Sequence, residues 1–120
     1  MTEAQLTRRL VDALRRVLPG AIIFKHCDRI TSGVPDLSVS YAGRTTWLEV
    51  KVIRRGKIIQ RGIQHFTIEQ LGRQTSCYYV MYDLDQSSTH LMTTNGRTLL
   101  QWPRIVYDEV AEALYVGDLP

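Results

Sequence analysis

Two carboxylates and one lysine stand out in this chain of 120 residues as side chains that could do chemistry together. They occur in the segments Pro35-Asp36 and Glu49-Val50-Lys51. Adjacent carboxylates repel each other, and a divalent cation between them removes the repulsion. Mg²⁺ takes carboxylate and carbonyl oxygens together with waters. Asp36, Glu49 and the Val50 backbone carbonyl are therefore candidate ligands, with Mn²⁺ as the expected substitute. The alternative is a Pro-Asp turn leading into a strand whose charges face solvent.

The element that would position these residues is a hairpin around Ala42-Gly43. Alternating apolar and polar residues predict strands over 36–41 and 44–53. With a two-residue turn, Asp36 lies directly opposite Glu49 on one face, their Cβ atoms ~5 Å apart, and Lys51 shares that face. In the metal-free protein, repulsion would then raise the pKa of at least one of the two carboxyls.

A helix predicted over residues 3–18 adds a third acid. Its apolar stripe has helical spacing, and Thr2 and Gln5 form a capping-box pattern. The stripe consists of Leu6, Leu10, Leu14 and Val17. Glu3 extends this stripe by one turn and would face the sheet rather than solvent. Alternatively, Glu3 complements the positive end of the helix dipole.

The remaining elements predict a mixed sheet flanked by helices. Further strands are predicted over 21–26, 77–84, 90–94 and 98–102, and further helices over 63–74 and 103–115, the last opened by Pro103. This order indicates an α/β or α+β domain with a central mixed sheet. We expect a single domain over residues 1–120, with a core over about 3–84 and an extension over about 85–120.

A basic loop follows the strand that carries Glu49 and Lys51. Its cations, which could meet a phosphate backbone, are Arg54, Arg55, Lys57 and Arg61. A solvated loop without a ligand is the alternative. Lys25 could reach the site or protect an edge strand from aggregation. Trp47 could stack on a base or pack against the sheet.

Composition limits the classes of function. The chain has 15 Lys plus Arg against 12 Asp plus Glu, and the net charge of +3 permits a polyanionic partner without demonstrating one. Short apolar runs and an N-terminus unlike a signal peptide predict no membrane association. Two cysteines cannot form a disulfide framework, so a reducing cytoplasm is expected. The cysteines and histidines do not have the spacing of a zinc site. The sequence also has no glycine-rich phosphate loop, and no organic cofactor is expected.

These residues resemble the PD-(D/E)xK nuclease superfamily, whose core is a helix, a three-stranded meander, a helix and a strand. The match consists of Pro35-Asp36, Glu49-Val50-Lys51 and the tight hairpin between them. More narrowly, the chain is similar to small stand-alone VRR-NUC domains and phage-type Holliday junction resolvases. The residues that correspond to the motifs of these relatives are Glu3, Gly33-Val34-Pro35-Asp36 and Gln64. The resemblance covers residues 3 to about 84 and implies a restriction-endonuclease-like fold.

The resemblance also implies a Mg²⁺-dependent endonuclease that hydrolyses DNA phosphodiester bonds, with junctions, flaps or nicks as possible targets. Asp36, Glu49 and the Val50 carbonyl would hold the metal, and Glu3 would support them or bind a second metal. Lys51 would stabilise charge growing on the phosphate as a cation, or act as a base in its neutral form.

Two further expectations follow from the resemblance. Gln64 would hydrogen-bond the attacking water or the scissile phosphate. The protein would work as a homodimer in the cytoplasm of a bacterium or of a phage-infected host, with residues 85–120 as the interface.

Two other functions are compatible with the same sequence. The chain could be a non-catalytic nucleic-acid-binding module on the same fold, or an interaction protein whose acidic pair is incidental. Neither alternative requires a divalent cation, which separates them from the nuclease.

We expect Mg²⁺ or Mn²⁺ to raise the melting temperature, because only the folded chain assembles the acidic pair and a ligand of the folded state stabilises it. Thermal unfolding followed by circular dichroism, with and without the cation, measures this effect. The shift should shrink in Asp36→Asn. A wild-type melting temperature that responds to neither cation would contradict the metal site.

Overall fold

A computed structural model describes residues 1–26, 34–58, 62–116 and 119, with the backbone alone for 62–66. Its helices are α1 (Glu3–Val17), α2 (Gly62–Gln74) and α3 (Asp108–Tyr115). Its strands are β1 (Ile22–Lys25), β2 (Leu37–Tyr41), β3 (Arg44–Ile53), β4 (Ser76–Asp83), β5 (Ser88–Thr93) and β6 (Thr98–Trp102). Within these described ranges, every helix is too short or too polar to cross a lipid bilayer.

The six strands form one sheet in the order β1-β2-β3-β4-β5-β6. All neighbouring pairs are antiparallel except β3 and β4, which run parallel and are connected through α2. A parallel pair needs such a crossover, because a tight turn can join only antiparallel strands. The predicted mixed sheet is confirmed, and the extension after residue 84 continues it with β5 and β6.

The β2–β3 hairpin has the predicted two-residue turn. Ala42 and Gly43 have φ angles of 54° and 76°, the left-handed values that a type I′ turn requires at both central positions. Leu37 consequently pairs with Leu48, which is the register expected from the sequence. The next position outward places Asp36 opposite Glu49.

The alternation of side chains divides the core between the two faces of the sheet. On one face, α1 and α3 pack against the apolar side chains of the strands, among them Leu37, Val39, Leu48, Val50, Val80 and Leu91. On the other face, Ile68 of α2 packs with Cys77 and Tyr79 of β4, and Trp47 lies against this smaller cluster. The predicted capping box of Thr2 and Gln5 is present at the start of α1.

The prediction that Pro103 opens the last helix is wrong, because α3 begins at Asp108. The buried hydroxyl of Thr89 on β5 donates to the Arg104 carbonyl at 2.9 Å and accepts the Val106 N–H at 3.0 Å. Both bonds tie this segment to the sheet instead of to a helical turn. Further on, α3 is anchored by the Tyr115 hydroxyl, which lies 2.7 Å from the Val39 carbonyl.

We expect Gly72→Ala to destabilise the protein by about 1–3 kcal/mol, the usual cost of overpacking. A Cβ on Gly72 would lie 2.0 Å from the Oγ1 of the buried Thr94, and this clash outweighs the gain of about 1 kcal/mol in helix propensity. Urea unfolding measures the change. Adding Thr94→Ala should recover part of the loss, because it removes the contacts with Oγ1 and Cγ2 but keeps the Thr94 Cβ at 2.9 Å. A stable Gly72→Ala single variant would contradict the close approach of α2 to the residue that follows β5.

Candidate active site

The structure brings Asp36 and Glu49 together at the end of the β2–β3 ladder. The Asp36 backbone N–H donates to Glu49 Oε1 at 3.0 Å, and the Val50 N–H donates to Asp36 Oδ2 at 2.8 Å. Glu49 thus accepts the N–H of Asp36 itself, and Asp36 accepts the N–H of the residue that follows Glu49. These reciprocal bonds hold the two side chains side by side where β2 begins.

Lys51 completes the cluster on the same face of the sheet. Its ammonium lies 2.8 Å from Glu49 Oε2, and the two side chains are only 7% and 1% exposed. A charge placed here for solubility would face water instead. The alternative of a strand with outward-facing charges is therefore excluded, because Glu49 and Lys51 are buried as an ion pair.

The environment of Glu49 favours its protonated form. Burial and the negative charge of Asp36 raise the pKa of Glu49, Lys51 lowers it, and the net effect of the three is a pKa of about 7. The sequence prediction of one raised carboxyl pKa agrees with this. Glu49 also acts on the neighbouring Cys77 thiol, whose pKa rises to about 12 chiefly through burial.

Glu3 approaches the pair from the first turn of α1. The residue as a whole is exposed, yet its carboxyl group is close enough to Asp36 and Lys51 to feel both charges. Partial burial of the carboxyl and the charge of Asp36 raise the pKa of Glu3, and Lys51 lowers it. Glu3 therefore belongs to the electrostatic surroundings of the pair rather than to its hydrogen-bonded centre.

The donors at this position fit a small, hard cation. Two carboxylates plus waters are a usual Mg²⁺ ligand set. In a strand, the N–H and C=O of one residue point to the same side, so the Val50 carbonyl points to the β2 side of β3, as its N–H does. Across the described part of the chain, His, Cys, Asp and Glu side chains form no metal-binding group of three or more. A cation here would accordingly rely on two carboxylates, a carbonyl and water.

The basic residues after β3 form a second, smaller hairpin. Arg54 and Lys57 bond to each other through their backbones, and the turn between them consists of Arg55 and Gly56, with φ angles of 55° and 72°. The carboxylate of Asp85 accepts the N–H groups of both turn residues, at 2.9 and 2.7 Å. These bonds lower the pKa of Asp85 and fix the turn to the start of the extension.

An open cleft of about 640 Å³ connects this turn with α1. Its lining consists of Thr2, Glu3, Val52, Arg54, Arg55 and Lys57. Arg54 also donates to the Met1 carbonyl, which ties the turn to the N-terminus. Three of the predicted phosphate-binding cations thus lie around one cleft that includes Glu3.

Of the predicted residues that the structure describes with their side chains, Lys25 is not brought into this cluster. Lys25 lies on the opposite face of the sheet from Asp36, because it pairs with the core residue Leu37. Gly33 and Arg61 lie outside the described residues, and Gln64 belongs to α2 in a stretch where only the backbone is described.

Sequence reasoning missed two residues that the structure places at the site. His26 continues β1, and its N–H donates to the Asp36 carbonyl at 2.8 Å. This pairing spans a long connection, so no local pattern indicates it. Asp85 follows β4 as an acid in a turn, and its role depends entirely on a tertiary contact.

We expect the metal-free protein to lose stability, on the order of 1–3 kcal/mol, as the pH rises from below 4.5 to above 7. The folded protein holds the Glu49 proton more tightly than the unfolded chain does. The resulting stabilisation is complete below pH 4.5 and lost as the pH passes 7. Urea unfolding in EDTA over this pH range measures the slope.

Two variants test whether Asp36 causes part of this slope. Asp36→Asn should flatten it, because the substitution removes a charge that raises the pKa of Glu49. Asp12→Asn removes an exposed acid of α1 and should keep the wild-type slope. Equal slopes in both variants would contradict the coupling of Asp36 to Glu49.

A solved protein structure is similar to this chain in its fold. The sequence matches no protein-family model and no curated protein. Among solved structures, the chain is similar to Hjc of Archaeoglobus fulgidus, a Holliday junction resolvase from an archaeal hyperthermophile. The TM-score is 0.59 at 13% identity, and the match covers 90% of this chain and 98% of Hjc. The mixed six-stranded sheet flanked by helices is thus the restriction-endonuclease-like fold of that resolvase.

Proposed function

We propose that this protein is a metal-dependent, structure-specific endonuclease that hydrolyses DNA phosphodiester bonds. The observation that carries this proposal is the cluster of the half-buried Asp36 with the buried Glu49 and Lys51. A second carboxylate beside the buried Glu49–Lys51 pair works against folding, and a bound cation would offset this repulsion. The resolvase activity named for the similar Archaeoglobus fulgidus protein supports the same class of reaction.

The acidic pair and the Val50 carbonyl would hold Mg²⁺, or Mn²⁺ in its place. A bound ion of this kind supplies Lewis acidity toward a phosphoryl oxygen and makes water a better nucleophile at neutral pH. Asp36 and Glu49 are held for this task by the backbone bonds that each accepts. Glu3 would add negative potential from the surrounding shell, consistent with the effect of Asp36 on its pKa.

Lys51 would act as a cation that stabilises the charge growing on the phosphate. Its ammonium is fixed by Glu49 at 2.8 Å and is almost entirely buried. A preorganised charge in a water-poor site is worth more than the same charge in solvent, because it needs no reorganisation during the reaction. Gln64 is proposed to hydrogen-bond the attacking water or the scissile phosphate.

The cations of the small hairpin would bind the DNA backbone. Arg54, Arg55 and Lys57 are exposed and line the cleft that also contains Glu3. The Asp85 carboxylate holds the turn by accepting the backbone N–H groups of Arg55 and Gly56, which leaves the Arg55 side chain available for phosphate. Arg61 is proposed to extend this surface. Such contacts position a substrate without reading its sequence.

The substrate we propose is branched DNA, such as a four-way junction, and the active form we propose is a homodimer. A two-fold dimer would present two sites to a substrate with matching symmetry. In the predicted interface, residues 85–120, the apolar side chains of α3 are already buried against the core of their own chain. An interface in this region would therefore use the outer surface of α3 or of β6.

We expect Asp36→Asn and Glu49→Gln each to lower the cleavage rate at least about 100-fold, the scale on which a group that stabilises the transition state acts. Asp36→Asn should bind DNA as well as the wild type or better, because it removes a negative charge near the phosphates. A panel of four-way junction, flap, nicked, duplex and single-stranded DNA, with Mg²⁺ or Mn²⁺, measures rate and preference.

The matched control is Asp12→Asn, which removes an exposed acid of α1 away from the site and should cleave at the wild-type rate. Cleavage that survives in both site variants would refute the assignment of the acids. If the wild type binds these substrates but cleaves none of them with either cation, the protein is a binding module.

A further inference from the structure

A row of aromatic rings lies on the same face of the sheet as the acidic pair. The cross-strand register aligns Phe24 of β1 with Ser38 of β2, and Ser38 with Trp47 of β3. The adjacent row on this face consists of His26, Asp36 and Glu49, linked by the backbone bond from His26 to Asp36. Successive rows on one face are two residues apart, or about 6.6 Å. The rings and the acids are therefore neighbours.

The rings are arranged as a nearly continuous surface. The His26 ring stacks on Trp47 with centroids 5.2 Å apart and planes inclined by 29°. Phe24 adjoins His26 at 6.4 Å. The His26 ring is fixed by a 2.8 Å hydrogen bond between its Nε2 and the Ser38 hydroxyl, so its orientation is set before any ligand arrives.

The outer end of this row is open to solvent. Phe24 is 60% exposed, and Trp47 and His26 are half-buried. Within the part of the chain that the structure describes, Phe24 is the one phenylalanine among the exposed large apolar side chains. It lies one row away from Asp36, on the neighbouring strand. Packing does not require an aromatic residue at such a position, because the core of this face is filled by Ile68, Cys77 and Tyr79.

We propose that Phe24, His26 and Trp47 form a stacking platform for unpaired nucleobases of the DNA strand that enters the acidic cluster. The occupant follows from continuity with the site, since a strand whose phosphate lies at Asp36 and Glu49 passes its neighbouring bases over these rings. Flat rings accept any base through its π-face, which makes such a platform sensitive to unpaired structure rather than to sequence. This inference rests on the proposed function and explains how the protein selects branched or frayed DNA.

The test compares Phe24→Ala with Ile22→Ala. Ile22 is a matched control because it lies on the same strand and face, is 57% exposed, and is not aromatic. Binding is measured in EDTA, so that cleavage plays no part, to a single-stranded oligonucleotide and to the fully paired duplex of the same sequence. We expect Phe24→Ala to weaken single-strand binding roughly 5- to 150-fold, the equivalent of one lost base–aromatic stack. Duplex binding should be unchanged.

Two further variants sharpen the result. Phe24→Trp should retain single-strand binding, because it keeps a flat ring. In Trp102→Phe, Trp47 is the one remaining tryptophan, and its fluorescence should be quenched by the single strand. An unaltered affinity in Phe24→Ala, or an equal loss in Ile22→Ala, would overturn the platform. So would a drop in solution mass in both variants with unchanged DNA binding, which would identify this face as an interface between two copies.

The outcomes for the platform and for the nuclease can be told apart. If Phe24→Ala cleaves every substrate like the wild type and binds single strands equally well, the platform fails and the nuclease stands. If the wild type cleaves nothing but its single-strand binding depends on Phe24, the platform stands and the nuclease fails.

Discussion

The register between β2 and β3 is the constraint on which the site depends. The side chains of both strands alternate between two faces, so a slip of one residue would exchange the core set for the polar set. In the observed register, Leu37 and Leu48 enter the core under α1, while Asp36 and Glu49 meet on the opposite face. The hydrophobic core and the acidic cluster are thus specified by the same turn at Ala42-Gly43.

The acidic cluster is electrostatically unfavourable, and packing elsewhere in the fold compensates for it. Burial and Asp36 both favour a neutral Glu49, and Lys51 offsets only part of this effect. On the other side of the same strands, Leu48 and Val50 are fully buried against the helices. The apolar face of β2 and β3 therefore stabilises the same strands whose polar face carries the unfavourable charges. Local inconsistency of this kind is typical of functional sites in otherwise consistent folds.

Local patterns predicted the elements that depend on local physics. The capping box and apolar stripe define α1, and the tight turn defines the hairpin that joins Asp36 to Glu49. The start of α3 could not be predicted, because Thr89 holds the preceding segment from another strand. His26 was missed for a related reason. Its neighbours are chosen by the pairing of β1 with β2, and the intervening connection carries no register signal.

The hydrogen bonds that Asp85 accepts connect the extension to the basic turn after β3. The turn that carries Arg55 is held by a residue lying in the connection between β4 and β5. The position of the basic turn relative to the sheet therefore depends on that connection. Insertions or deletions there would move the basic turn without changing the β2–β3 register that brings Asp36 to Glu49.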